Sequence, residues 1–132
     1  MVQKDFTYRG KTFEEIKAMS LQDFAQLIPS RARRTLAKGF TEAQKRFLAK
    51  VKKAKETQRK KPLRTHCRDM VVIPELVGMT LMIHRGKEWA TIEITEEMLG
   101  HALGEFAHTR NSVKHNAPGV GATKSSASAS VK

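Results

Sequence analysis

The side chains most able to bind a metal or start a covalent step are His66, His84, His101, His108, His115 and Cys67. No two of these histidines form a His-x-x-x-His pair, and Cys67 adjoins His66 rather than standing at chelating distance, so the spacing argues against a zinc centre. A Cys67–histidine nucleophile would need a third group to orient the base, and none is apparent. A lone cysteine reads instead as a small apolar filler. Segment 119–125, Gly-Val-Gly-Ala-Thr-Lys-Ser, has the glycines, lysine and hydroxyl of a phosphate loop. Thr123 stands where such a loop needs glycine, however, and no strand precedes it. These glycines either let an extended tail pass close to a nucleic-acid backbone or keep it flexible. Glu93, Glu96, Glu97 and Glu105 flank a strand and a helix start, where capping and surface pairing account for them. Nucleophile, base and oxyanion donors are nowhere assembled. The expectation is a binding protein with no cofactor and no metal, not an enzyme.

The charge is more informative. In 132 residues the formal net charge is +12, and segment 31–64 alone holds fourteen cations against Glu42 and Glu56. Residues 1–30 are balanced, 65–105 are slightly acidic, and the tail adds Arg110, Lys114, Lys124 and Lys132. Each lysine or arginine that reaches a phosphate releases condensed counterions, so this density predicts strong, steeply salt-dependent binding to nucleic acid. A solvated basic helix kept for solubility would intersperse its signs, and a membrane-surface helix would need a broader apolar face. The longest apolar run is the four residues 70–73, far short of a membrane span. The polar start lacks the stretch of a secretory signal, and one cysteine makes no disulfide framework. Aromatic residues are 6% of the chain, with no aromatic strand of the RNP type, which favours reading of RNA shape and phosphate over base edges.

Behind these residues the periodicity predicts an α+β fold. Residues 1–11 read as a ragged lead-in. Thr12-Phe13-Glu14-Glu15 is a capping box opening a helix to about Met19. Ser20 caps a second helix, with Leu21, Phe24, Leu27 and Ile28 at helical spacing, and Pro29 ends it. Ser30 is expected to cap a helical turn over 31–38 with Gly39 as its stop. Thr41-x-x-Gln44 opens a longer helix to about Gln58, with an apolar stripe of Ala43, Phe47, Val51 and Ala54 beside Leu48. Pro62 then breaks the helical pattern. A first strand is predicted at 70–73, a hairpin over 80–94 turning at Arg85-Gly86, and a helix from Thr95 that buries Met98, Leu99, Ala102 and Leu103. These make a small three-stranded, mainly antiparallel or mixed sheet packed with helices. The organisation read from this is a basic helical extension over 1–61, a central α+β RNA-docking unit over 62–106 and a basic, flexible tail over 107–132. A centre of some 40 residues is too small to stand alone, so it must bury its sheet on the N-terminal helices, on an external surface, or on both.

Several of these residues recur in a known pattern. Ile73-Pro74-Glu75-Leu76-Val77-Gly78, Gly86-Lys87 and Ile94-Thr95-x-x-Met98-Leu99-Gly100-His101-x-Leu103-Gly104-Glu105-Phe106-x-x-Thr109-Arg110 closely resemble the S-nineteen family of small-subunit ribosomal proteins. The match runs from about Arg64 to Arg110. The helical basic third and the tail from Lys114 resemble the longer archaeal and eukaryotic cytosolic form. The resemblance implies a cytoplasmic constituent of the small-subunit head, bound to the 3′ major domain of ribosomal RNA. It would lie beside the S-thirteen protein, with its tail towards the decoding region and A-site tRNA, and with neither membrane association nor homo-oligomer formation. RNA contact carries over by motif to Arg64, His66, Arg68, Lys87, His101, Thr109 and Arg110. On charge alone the same role is expected of Arg31, Arg33, Arg34, Lys38, Lys45, Arg46, Lys50, Lys52 and Lys53, and of Arg85, Lys114, His115 and Lys124. One departure is Arg85, which precedes the hairpin glycine where the family has a small polar residue. Arginine tolerates positive φ poorly, so the turn is either of another type or Arg85 is held by phosphate. A DNA-compacting basic protein is the alternative on charge, but it leaves the Gly-His-x-Leu-Gly-Glu-Phe segment unexplained.

Overall fold

The computed structural model describes residues 6–58 and 61–114, and the expected contacts His115 and Lys124 and the 119–125 glycine segment lie outside these. In the described residues the order is β1 (Thr7–Tyr8), β2 (Lys11–Thr12), α1 (Phe13–Ala18), α2 (Leu21–Leu27), α3 (Ser30–Ala37), α4 (Glu42–Glu56), β3 (Leu63–Thr65), β4 (Thr80–His84) and β5 (Trp89–Glu93). Three short 3₁₀ turns, Pro74–Leu76, Glu96–Met98 and Leu103–Phe106, complete it. The fold is α+β. Within the described part of the lead-in, residues 7–12 are not ragged but form a small antiparallel hairpin.

Local chemistry sets the helices. Both capping boxes form: Thr12 Oγ1 accepts from the Glu15 amide while the Glu15 carboxylate accepts from the Thr12 amide, and Thr41 and Gln44 do the same. Ser20 caps α2 through the amide of Asp23. Ser30, expected as a cap, is instead the first helical residue after an N-cap at Pro29, whose ring supplies no side-chain acceptor. The stripe of α4 also shifts. Gln44, Phe47, Val51 and Ala54 are buried and Ala43 is exposed; burial of Gln44 is compatible with its amide because Nε2 donates to Oδ2 of the exposed Asp69 at 3.0 Å.

The three-stranded sheet runs β3-β4-β5, with β3 parallel and β5 antiparallel to β4. Its first strand is therefore Leu63–Thr65, not 70–73. The latter segment is buried and extended but pairs elsewhere: Val72 N donates to His101 O, Gly100 N to Val72 O and Leu103 N to Met70 O. That pairing also replaces the helix expected from Thr95. Gly100 has φ +78, and a Cβ there would lie 3.0 Å from both Ile28 Cγ2 and Tyr8 Oη. Only glycine lets the chain turn out of the Glu96–Met98 turn against α2 and lie beside 70–73. The β4–β5 hairpin closes through four residues, with Arg85 N donating to Glu88 O. The positive φ of +103 falls on Gly86, which leaves Arg85 unstrained and settles the turn as one of another type.

One apolar cluster joins these parts. Ile16, Phe24 and Ile28 from the first two helices, and Phe47 and Val51 from α4, pack with Met70, Ile73, Leu76, Leu81, Ile83, Leu99 and Leu103. Each such side chain, fully buried, contributes roughly 1.5–3 kcal/mol. The inward row of the sheet faces this cluster. Its outward row does not, and the difference positions the site.

Candidate nucleic-acid interface

Helix α4 has two faces by sequence. Its buried stripe fixes the helix to the core, and Arg46, Lys50, Lys52 and Lys53 are left exposed. A helix satisfies its own backbone carbonyls, so these cations find few acceptors nearby. Among the described residues, the α4 cations with hydrogen-bonded partners are Lys45, on Glu42 at 2.9 Å, and Lys55, on the Glu75 carbonyl. Strand β3 pairs on one side only, with β4. Between it and α4 opens a groove of about 810 Å³, lined by Lys50, Lys53, Ala54, Thr57, Lys61, Pro62, Leu63, Arg64 and Met82. Among the described residues, four cations and no carboxylate line it. Its apolar floor and cationic rim suit a phosphodiester chain.

The remaining expected contacts fall into separate places. Arg31 borders a smaller cleft of about 360 Å³ with His101 and Glu105, where His101 Nδ1 and Glu105 Oε2 are 2.7 Å apart. Arg85 Nη2 donates to Asn111 Oδ1 at 2.6 Å, which ties the hairpin turn to the chain just after Thr109 and Arg110. Arg34, Lys38, Lys87, Thr109, Arg110 and Lys114 are exposed.

Two arginines are instead held on backbone carbonyls, Arg33 at the surface and Arg68 half-buried. Arg33 donates to the carbonyls of Ala25, Gln26 and Ile28, closing the end of α2. Arg68 donates to those of His84, Gly104 and Ala107 at 2.6, 3.0 and 2.6 Å. Its guanidinium holds the end of β4 to the Leu103–Phe106 turn.

Sequence reasoning missed Lys61, Met82 and Trp89. Met82 and Trp89 lie on the outward row of the sheet with Arg64, which the period-two pattern of β4 and β5 could have revealed once β3 was found. Among the described residues no helix is long and apolar enough to cross a membrane, and no three His, Cys, Asp or Glu side chains are grouped to hold a metal ion. A family model described as Ribosomal protein S19 matches residues 34–115, from the middle of α3 through α4, the three-stranded sheet and the Leu103–Phe106 turn.

Proposed function

The chain belongs to the ribosomal protein S19 family, and from that premise we propose how it meets its RNA. Members of this family are structural constituents of the small ribosomal subunit that bind ribosomal RNA; it is not a family of enzymes. The groove between α4 and β3 takes an RNA backbone on Lys50, Lys53, Lys61 and Arg64. The Arg31–His101 cleft and the Arg85–Arg110 side make further phosphate contacts. The particle context is the subunit head, on the 3′ major domain beside the S-thirteen protein, with the C-terminal tail towards the decoding region and A-site tRNA. The observation that supports this reading best is the groove itself: among the described residues, four converging cations without a single acid, beside an edge strand.

Deleting the basic segment would be a poor test, because Phe47 and Val51 of α4 are buried in the core. The cations can be removed without the helix. In Lys50→Gln, Lys53→Gln, Lys61→Gln the full chain should keep its unfolding midpoint and lose RNA affinity. The slope of log affinity against log salt should flatten by about two to three, from 0.7–0.9 per phosphate contact. An unchanged slope would count against the groove. Mapping crosslinks from these positions in the intact particle names the nucleotides.

A further inference from the structure

The outward row of the sheet carries a cluster of rings that phosphate contact does not use. Register places Arg64, Met82 and Thr91 side by side, with His84 opposite Trp89 at the next outward level. His66, just past β3, completes a ring triad: centroids lie 4.4 Å apart for His66–His84, 4.9 Å for His66–Trp89 and 5.0 Å for His84–Trp89. The Arg64 guanidinium sits over the indole, 5.3 Å from its centroid. His66 and Arg64 are exposed, and His84 and Trp89 half-buried, so the cluster stands outside the core cluster rather than in it.

We propose that this cluster is a stacking platform for one unpaired base of a single-stranded RNA segment. The proposal rests on the RNA-binding reading above and adds to it the class of nucleotide recognised. Arg64 and Met82 belong both to the platform and to the groove wall, so a strand whose phosphates lie in the groove delivers its next base onto these rings. Imidazole and guanidinium planes accept any base by its π-face, which needs no edge-specific hydrogen bonds. A guanidinium held over indole is also a ready stacking surface in its own right. Along the strands, the carboxylate on this face is Glu93, at the far end opposite Thr80. A duplex keeps its bases stacked on one another and cannot use such a surface.

Trp89 is the chain's single tryptophan and reports on the platform directly. The full chain is titrated with a short single-stranded oligoribonucleotide, a blunt RNA duplex and inorganic polyphosphate at matched salt. Indole emission and retention of labelled ligand are both followed. The single strand should quench emission saturably, while duplex and polyphosphate bind and leave it unchanged. His66→Ala should weaken single-strand binding about tenfold, the stacking of one base, and leave duplex binding within about twofold. Equal quenching by all three ligands overturns the platform. So does an unquenched indole with salt-sensitive binding intact, which leaves the RNA-binding reading standing; no binding of any ligand overturns both. In the assembled subunit, an indole still shielded from acrylamide after RNA digestion identifies a protein neighbour as the occupant and overturns the proposal.

Discussion

On α4 Lys50, Lys52 and Lys53 stand exposed to solvent, whereas around Arg68 a cation of the same charge is drawn into the protein. The difference lies in the backbone each side chain finds. Every carbonyl in the middle of α4 accepts from the amide four residues on, so Lys50, Lys52 and Lys53 have no internal acceptor to reach. At the end of β4 and around the Leu103–Phe106 turn the regular pairing runs out, and the carbonyls of His84, Gly104 and Ala107 all accept from one guanidinium. Buried or half-buried carbonyls need donors, and the planar fork of arginine supplies several in fixed directions. Cation density by itself therefore does not identify a nucleic-acid contact. The deciding variable is how many carbonyls the local fold leaves without secondary-structure partners.

The sharpest way to break this contrast is Arg68→Ala. Three charge-assisted hydrogen bonds at roughly 1.5 kcal/mol each predict a loss of about 4 kcal/mol, read as a lowered urea midpoint. Arg68→Lys should not restore it, because one ammonium cannot span three carbonyls on separate segments. A variant with unaltered stability and a flattened salt slope would place Arg68 with the α4 lysines instead.

The same contrast explains what could be read from the residue order. Caps and helical stripes are local, so Thr12, Ser20 and Thr41 fixed the starts of α1, α2 and α4 within one residue, and β4 and β5 followed from period-two patterning beside a turn. Cation clustering is compositional and was equally plain. The pairing of Leu63–Thr65 with β4 links segments on either side of the buried 70–73 stretch, and no local pattern announces it. Without β3 the ring triad of His66, His84 and Trp89 cannot be assembled, because its members come from three segments. The helix expected after Thr95 failed for a related reason. Apolar spacing was right for burial, but Gly100 at positive φ and the amide exchange with 70–73 gave the backbone better partners than a helix would.

Arg33→Ala tests an intermediate case. Its guanidinium meets three carbonyls at the end of α2, but the residue is exposed, so water can replace it. The expected loss is about 1 kcal/mol in the urea midpoint. The salt slope should fall by less than for any one groove lysine, and a fall as large would mean that the guanidinium leaves α2 for phosphate.

The smallest effect should change sign between its two readouts. Glu42 holds Lys45 at 2.9 Å in a pair whose side chains are 60% and 76% exposed, and it is also the acid in the first turn of α4. Such pairs contribute a few tenths of a kcal/mol, and the helix end adds a similar amount. Glu42→Gln should therefore cost only about 0.5 kcal/mol in the urea midpoint. Glu42 is also one of only two acids opposing the fourteen cations of 31–64. Its removal releases Lys45 and strengthens the local positive field, so RNA affinity at low salt should rise, with a slightly steeper salt slope. A weaker complex with an intact midpoint would show that Glu42 orients Lys45 towards its phosphate rather than holding it back.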